Sequence, residues 1–431
     1  MNTPDSAFIR VINRRQVLAL AFGAMVGWSW VALTGVWIAG AGALGAMLAF
    51  GIGGGIVIFV GLTYAELAAA MPLVGGEHVY SHRALGRTAS FVCTWAILLG
   101  YASVVAFEAV ALPTVLEYLV PGFSRGYLWT IAGWDVNVTW VLTGALAAIA
   151  MIVINVLGIR TAARLQVLVV IVVLLSGLGL VSGAVVAGDM DNAAPLFNGG
   201  LAGMLSVLVM VPFMFVGFDV IPQSAEEIDL PFASIGKLLV MSILMAIAWY
   251  ALVIAAVAMA LPESERALSS LPTADAAAAF FNDSRAGKLL VVGGVAGILT
   301  SWNAFLIGGS RALYALAKAG QVPSAFAALH PVYRTPHRAI LLVGGFAVCA
   351  PLFGRPAMVW LVDAGGLGIV TAYAMVALSF LVLRVKEPDM ERPYRVRNGR
   401  LVGYLAFMLS LALASLYLPW SPAALLWPHE W

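Results

Sequence analysis

Charged residues are scarce in this chain, and this scarcity defines its class. Only 10% of the 431 residues are Asp, Glu, Lys or Arg, whereas 62% are hydrophobic and the mean hydropathy is +0.98. Soluble domains carry about 25% charged residues. The composition therefore excludes an ordinary water-soluble fold and predicts a protein that crosses the bilayer several times.

Cysteines and metal-binding motifs are nearly absent. Cys93 and Cys349 both fall in apolar stretches, where we expect packing residues. No CxxC, HExxH or GxxxxGK[ST] motif occurs, so a bound metal and direct ATP hydrolysis have no support in the sequence. The chain also lacks a basic tract of the kind that binds nucleic acid. Because no nucleophile is paired with a base, an enzyme is not expected.

Long apolar segments are what the chain has in abundance. A membrane helix needs about 20 mostly apolar residues, and eleven segments fit this description. They predict a single transmembrane domain over residues 1–431, without a linker to a second domain. The segments are 17–44, 46–70, 90–118, 138–157, 163–187, 201–222, 238–260, 289–317, 338–354, 357–383 and 401–418.

Lys and Arg are distributed unevenly between the connecting segments. If the N-terminus is cytoplasmic, eighteen of the 23 lie on the cytoplasmic side, which is a strong positive-inside bias. The first apolar run is too long for a cleaved signal peptide and a second span follows it directly, which indicates a retained helix. We therefore predict a multi-pass protein of the cell (inner) membrane with a cytoplasmic N-terminus.

Two of the apolar segments contain residues that interrupt a helix. Gly217-Phe218-Asp219, followed by Pro222, lies within 201–222, and Gly23-Ala24-Met25-Val26-Gly27 lies within 17–44. Lipid offers no partner to backbone amides and carbonyls, so an interruption in a membrane helix is costly. Paired interruptions in the two halves of a chain are typical of the binding site of a transporter.

The order of the segments predicts an internal repeat. Spans one to five cover about 17–187 and spans six to ten about 201–383, and each set begins with an interrupted helix. Because five is odd, the second set crosses the membrane in the opposite sense, which gives an inverted repeat. An eleventh helix at about 401–418 lies outside the repeat. The tail from Ser421 to Trp431 is too short and polar to span the membrane.

Several segments resemble the amino-acid permeases of the amino-acid/polyamine/organocation superfamily. The similarity covers nearly the whole chain, including Phe213 to Glu227, which is similar to the family's sixth helix, and Gly23 to Gly27, which matches part of its first-helix glycine motif. The other matching segments are Tyr64-Ala-Glu-Leu-Ala68, Met71-Pro72, Gly75-Gly76-Glu-His-Val-Tyr80, Ala84-Leu-Gly86, Ser310-Arg-Ala-Leu-Tyr-Ala-Leu-Ala317, Gly320-Gln-Val-Pro323, His330-Pro331 and Thr335-Pro336.

This resemblance implies a fold, a transport cycle and the absence of covalent chemistry. The implied fold is an all-α polytopic membrane protein with five-plus-five inverted repeats (LeuT-like), broken helices 1 and 6 and an eleventh helix. Members of the family usually have twelve helices, so the ending of this chain departs from the pattern. Transport by alternating access is the implied activity.

A helix that breaks in mid-membrane offers free backbone groups to a substrate. Its free N–H groups suit an anion and its free C=O groups suit a cation. We expect the amides of Trp28 and Ser29 to bind the carboxylate of an amino acid, and the carbonyls around Phe213 to Val216 to face its ammonium group. The predicted substrate-binding residues are Gly23, Met25, Val26, Gly27, Trp28, Ser29, Tyr101, Phe213, Phe215, Val216, Gly217 and Asp219.

Alternative roles remain open for several of these residues. Gly23 and Gly27 permit close backbone approach, but they also form a GxxxG packing motif. Trp28 replaces a small residue of the family and should narrow the pocket or supply a cation-binding face. Phe213 and Phe215 resemble the family's gating aromatics, or they are core residues.

The acidic residues within or near the spans are candidates for function by default. Asp219 could hold a substrate amine, carry a proton or cap the helix after the break, and we rank the structural role first. Glu108 and Asp363 are expected near helix ends in solvated positions. The remaining matches to family motifs, expected in salt bridges with Arg83 or Arg311, are Glu66, Glu226 and Glu227.

The coupling ion depends on two positions. Some family members have a lysine in helix five whose ammonium replaces sodium, and Val173 stands there in this chain. The hydroxyls of Thr300 and Ser301, with carbonyls near Ala24 and Gly27, form a candidate sodium site. Both hydroxyls could instead bond to their own helix. Sodium coupling, proton coupling and exchange therefore stay open.

The predicted function is secondary active import of an amino acid or a closely related small amine. One alternative is a substrate exchanger or uncoupled facilitator for amino acids or polyamines, and another is a non-transporting membrane amino-acid sensor. The expected partners are the substrate and the lipid bilayer, without nucleic acid and without a cofactor apart from sodium. The sequence predicts no oligomeric state.

Overall fold

The computed structural model describes Phe8, residues 10–269 and 271–418, and Ser421. This part of the chain is mostly helical. The elements are α1 (Arg14–Met25), α2 (Ser29–Ala32), α3 (Thr34–Ala41), α4 (Ala43–Ala70), α5 (Glu77–Leu85), α6 (Arg87–Leu119), β1 (Tyr127–Ile131), β2 (Trp134–Asn137), α7 (Val138–Val156), α8 (Ile159–Ala187), α9 (Gly200–Leu208), α10 (Val211–Phe215), α11 (Val220–Gln223), α12 (Phe232–Ala260), α13 (Glu263–Leu268), α14 (Pro272–Phe281), α15 (Ser284–Lys318), α16 (His337–Cys349), α17 (Ala357–Lys386) and α18 (Gly399–Ser415).

The long helices make this a polytopic membrane protein. Among the described residues, eight helical segments are long and apolar enough to cross a bilayer, one of them being the interrupted segment Gly200–Gln223. A ninth arises from Arg14–Ala32 and Thr34–Ala41, which are bent by 68° at Leu33. The remaining predicted spans correspond to the shorter apolar helices His337–Phe353 and Gly399–Ser415.

Two details of the sequence prediction are wrong. The connection between α6 and α7 is a small antiparallel hairpin rather than an all-α segment. Its two turn residues, Ala132 and Gly133, both have positive φ, which is the geometry of a two-residue type I′ turn. Cys93 is buried as predicted, but Cys349 is exposed, so it is not a packing residue.

Small residues on α15 let it lie close to the helices around it. A Cβ added at Gly297 would contact the Gly27 backbone, and one added at Gly308 would lie 3.1 Å from the ring of Tyr101. Membrane helices associate through such close packing, since lipid gives little hydrophobic drive. As a result α15 lies against α1, α6 and α8, and it positions polar side chains beside the first break.

Ion pairs join the helices on the side of the membrane where α1 begins, called here the N-terminal side. Arg311 and Glu227 form a buried pair at 2.9 Å, as predicted. Glu66 pairs with Arg384 at 2.5 Å and with Arg392 at 3.0 Å, so its predicted pairing with Arg83 or Arg311 is wrong. Glu66 and Glu227 thus pair with arginines on different segments, because α17 and the segment after it lie over α4.

Two further members of this group also differ from the prediction. Arg83 pairs with Glu387 at 2.6 Å in a partly exposed position. Glu226 accepts a hydrogen bond from the backbone N–H of Val74 at 3.1 Å instead of forming an ion pair.

Candidate substrate site between two broken helices

The first break separates α1 from α2. Residues 26–28 form a bend, and among the described residues the amides of 27–30 donate no backbone hydrogen bond. On the other side of the break, the Tyr250 hydroxyl donates to the Met25 carbonyl at 2.6 Å and lies 3.2 Å from Ser29 Oγ. The break therefore leaves open the amides that suit an anion, while Tyr250 of α12 fixes the bend.

The second break separates α10 from α11. Val216 is extended and Gly217 has φ +136°, a conformation that side chains rarely adopt. Asp219 Oδ1 accepts a hydrogen bond from the Gly217 N–H at 2.7 Å, and the side chain makes no capping bond to α11. Asp219 thus has a structural contact, and this contact stabilises the turn. The prediction that Asp219 caps the helix after the break is wrong.

The two breaks touch each other. A Cβ added at Gly217 would lie 2.5 Å from Ala24 Cβ and 2.9 Å from the backbone N of Met25. Real Cβ atoms do not approach so closely, and φ at this position already favours glycine. Glycine at 217 is therefore what lets the two interrupted helices meet.

A small cavity lies between the breaks. Its volume is about 20 Å³, which is room for about one water molecule. Most of the lining is apolar, and the complete set is Ala24, Met25, Gly27, Trp28, Ser29, Val104, Phe107, Glu108, Phe213, Met214, Ser301 and Phe305. An amino acid does not fit this space, so binding requires the surrounding helices to separate.

Glu108 is the acid of this cavity, and the prediction of a solvated position is wrong for it. It is only 2% exposed, because α6 continues past Pro113 to Leu119 and places Glu108 inside the bundle. Ser301 Oγ donates to its Oε1, and a Cβ at Gly27 would lie 2.5 Å from the same oxygen. The Trp28 backbone is also a hydrogen-bonding neighbour. Glu108 therefore lies beside the amides predicted to bind a carboxylate.

Trp28 separates the small cavity from a larger one. The larger cavity has a volume of about 210 Å³ and lies toward the membrane side opposite the N-terminal side. Trp28 itself is buried, and its indole N–H has no hydrogen-bond partner in the part of the chain that the structure describes. The other residues that line this larger cavity are Ala32, Thr114, Glu117, Tyr118, Trp134, Trp140, Leu271, Arg355 and Met358.

Some residues of the predicted site lie outside the cavity. A Cβ at Gly23 would contact Gln166 and Val170 of α8, which is the packing role of the GxxxG motif. Phe215 packs against Phe50 and Tyr250, whereas Phe213 lines the cavity beside Phe107.

Other predicted residues lie deeper, at the second break. Tyr101 lies beside Asp219. Val26, Val216 and Gly217 belong to the breaks themselves and are not among the lining residues. Asp363, expected in a solvated position, is half-buried.

The candidate sodium residues surround the first break. Thr300 Oγ1 donates to the Gly297 carbonyl at 2.7 Å, and Ser301 Oγ donates to Glu108. Ala24 and Gly27 line the same cavity as Ser301. The available ligands are hydroxyl, carbonyl and carboxylate oxygens, which are the types that coordinate sodium at broken helices. The chemistry of this set fits sodium, and Glu108 adds a carboxylate that the sequence prediction did not include.

Gln166 and Tyr250 are the polar contacts of the first helix that sequence reasoning missed. Gln166 Nε2 donates to the Ala19 carbonyl of α1 at 3.2 Å and to the Thr300 carbonyl at 3.1 Å. This amide therefore bridges α1 and α15. Val173, the position where some family members have a lysine, is a buried apolar residue. A polar side chain within an apolar segment was the signal that could have identified Gln166 and Tyr250.

A helical membrane protein in which two interrupted helices meet beside a small cavity has an architecture typical of membrane transporters. The amino acid permease family matches residues 12–427. The chain belongs to this family, and through it to the amino-acid/polyamine/organocation superfamily.

Individual relatives cover most of the chain at low identity. The branched-chain amino acid permease BcaP of Bacillus subtilis is 26% identical over 95% of this chain and 88% of the relative. The methylthioribose transporter of Bacillus subtilis is 24% identical over 91% of this chain and 85% of its own length. Human cationic amino acid transporter 4 is 27% identical over 90% of this chain and 61% of its own length. These names describe transporters and not enzymes.

Proposed function

We propose that this amino-acid transporter is a secondary active importer that works by alternating access on an amino acid or a closely related small amine. The observation that carries the proposal is the contact between the two breaks, beside a small cavity and amides at 27–30 that donate no backbone hydrogen bond among the described residues. Such amides suit a carboxylate. Because the cavity is too small for an amino acid, a cycle of opening and closing is required.

The proposed architecture is a pair of inverted five-helix repeats with one further helix, α18. Helices that the repeat would relate also pack together: α4 with α12, α6 with α15, and the first break with the second. This pairing is what a two-fold relation between the halves predicts. The Lys and Arg distribution supports a cytoplasmic N-terminal side in the cell membrane.

The proposed substrates are amino acids with apolar side chains. Met25, Val104, Phe107, Phe213 and Phe305 contribute most of the apolar lining, and such a lining favours an apolar group. The relatives include a branched-chain amino acid permease and a cationic amino acid transporter, so both classes of amino acid belong in the test.

The position of Glu108 supports sodium coupling as part of this proposal. An ionised Glu108 beside the amides of the first break would oppose a substrate carboxylate. A sodium ion between Glu108, Ser301 and the carbonyls near Ala24 and Gly27 would remove that opposition and couple ion binding to substrate binding. A proton on Glu108 would have the same electrostatic effect, which makes proton coupling the alternative.

Thermal stability of the purified protein tests the substrate class. A ligand stabilises the folded protein in proportion to the logarithm of its concentration over its Kd. We expect leucine or methionine to raise the melting temperature, and sodium to increase this shift. A panel with arginine and small amines covers the other substrates. Equal shifts with and without sodium would remove the sodium proposal.

Uptake into vesicles distinguishes import from exchange. We expect accumulation of the stabilising substrate in empty vesicles when an ion gradient is imposed. Uptake that requires preloaded substrate and ignores every ion gradient would show an exchanger. A folded protein that binds the substrate but never transports it would support the sensor alternative.

A further inference from the structure

Two buried carboxylates lie between the second break and the N-terminal side, outside the small cavity. Glu77 begins α5 and Asp219 precedes α11, and both are 0% exposed. Gln223, one turn after Asp219, donates from Nε2 to Glu77 Oε2, and the two acids interact electrostatically. They therefore form one acidic pair that joins α11, the part of the interrupted segment after the second break, to α5.

The groups that face this pair are weak acids. Tyr80 lies on α5 and Tyr373 on α17, and Cys93 on α6 is a further neighbour of Glu77. Tyr64 of α4 approaches Glu77, and Tyr101 of α6 approaches Asp219. Counting only the described residues, none of the four tyrosine hydroxyls makes a well-directed hydrogen bond.

Neither carboxylate has a basic partner. The ion pairs among the described residues include neither Glu77 nor Asp219, and Arg311 of α15, a helix packed against α11, is already paired with Glu227. Within the described residues, no group meets the geometry of a hydrogen bond to Glu77 Oε1 or Asp219 Oδ2, although the hydroxyls of Tyr64 and Tyr101 approach the two carboxylates. The pair is thus buried and doubly acidic. It accepts hydrogen bonds from Gln223 and from the Gly217 amide, but it has no ion-pair partner among the described residues.

Buried carboxylates without a cationic partner favour the protonated form, because a buried charge that is not ion-paired is costly. Two neighbouring carboxylates resist simultaneous ionisation for the same electrostatic reason. A divalent metal is a poor alternative, since no group of three His, Cys, Asp or Glu among the described residues could hold one. A proton needs no ligand set and no extra space.

The pair lies where the N-terminal side of the pathway must open. A Cβ at Gly76 would lie 3.3 Å from the Pro222 backbone, so the segment before α5 packs directly on α11. Separating these two segments would break the Gln223 bond to Glu77 and admit water. Hydrated carboxylates would then ionise, and their repulsion would hold the segments apart.

We propose that Glu77 and Asp219 form a proton-binding pair that holds a proton while the N-terminal side is closed and releases it to water when that side opens. This inference rests on the transport function proposed above. Asp219 belongs to the turn of the second break, whereas Glu77 begins α5 on the N-terminal side, so the proton moves in the same direction as an imported substrate. One proton is taken from water on one side and released to water on the other, and no other bond changes.

Proton movement in reconstituted vesicles tests the proposal. The vesicles contain a pH indicator, and the probe is a mixture of L-leucine, L-methionine and L-arginine. We expect substrate to acidify the lumen with wild-type protein and with Glu387→Gln, a control that removes an exposed carboxylate on the same side. Glu77→Gln keeps the shape of the side chain and its contact with Gln223, so it should exchange substrate but give no acidification.

The outcomes separate this inference from the transport proposal. Substrate-driven acidification that is unchanged in Glu77→Gln would overturn the proton pair. Transport by wild-type protein without any proton movement would overturn it as well, whether or not the variant folds. If correctly folded wild-type protein neither transports nor exchanges any of the probes, the transport proposal itself is wrong.

Discussion

The buried ion pair between Arg311 and Glu227 gives the sharpest test of what stabilises the N-terminal side. Its side chains are 1% and 2% exposed, and the two charged atoms lie 2.9 Å apart. Glu227 follows α11, Arg311 lies on α15, and the Glu227 carbonyl also accepts hydrogen bonds from the amides of Val11 and Ile12. We therefore consider the single changes Glu227→Met and Arg311→Met, and the two combined.

The magnitude follows from burial. At 2.9 Å and an effective dielectric constant of about 20, the gross attraction is about 6 kcal/mol. Desolvation offsets much of this gain, but removal of one partner leaves an unpaired buried charge and costs about 3–5 kcal/mol. Replacing both by apolar side chains removes the charge as well, so the double change should cost far less than the two single changes together.

Thermal unfolding in detergent measures the effect. The pair Arg83 and Glu387 is the matched control, since its side chains are 49% and 31% exposed and an exposed pair contributes about 0–1 kcal/mol. We expect each buried single variant to melt well below the control Glu387→Gln, and the double variant to recover most of the loss. Additive losses, or a control that melts as low as the buried variants, would refute the burial argument.

Three further predictions concern the site and its surroundings. Gly27→Ala should weaken substrate binding at least about tenfold, equivalent to about 1.4 kcal/mol, because its Cβ would lie 2.5 Å from Glu108 Oε1. The control Gly51→Ala, whose Cβ would have no atom within 4 Å, should bind substrate normally in the same thermal-shift assay. Trp28→Ala joins the two cavities, so substrate should exchange faster from the side opposite the N-terminal side, as measured by dissociation of labelled substrate. Burial, with repulsion from His82, lowers the pKa of His78 from 6.5 to about 4. Between pH 6.5 and 4, His78 is protonated in the unfolded chain but neutral in the folded protein. The melting temperature should therefore fall as the pH drops from 6.5 toward 4, and His78→Gln should reduce this fall.

The sequence predicted the helices and both breaks because these features have local causes. Apolar length defines a membrane segment, and the runs Gly23 to Gly27 and Gly217 to Asp219 interrupt helices wherever the rest of the chain lies. The hairpin around Ala132 and Gly133 was missed because neither an Asn-Gly nor an Asp-Gly signal marks its turn.

The partners of polar side chains could not be predicted because they lie on distant segments. Glu66 pairs with Arg384 and Arg392, and Gln166 bridges α1 and α15. Glu108 was expected near a helix end, and only the packing of α6 against α15 placed it beside Gly27. The sequence marks such residues as intramembrane polar groups, but their contacts depend on how the helices assemble.

The contact between the breaks restricts where the transport cycle can produce movement. Gly217 meets the backbone of Ala24 and Met25 so closely that the two breaks have little freedom to slide. Access must then change at the boundaries of this contact, and both boundaries carry a distinctive group: Trp28 next to the larger cavity, and the Glu77 and Gln223 bond on the N-terminal side. An aromatic ring moves without a change in charge, whereas the acidic pair changes its charge on hydration. The two sides should therefore respond differently to pH, with opening of the N-terminal side as the pH-sensitive step.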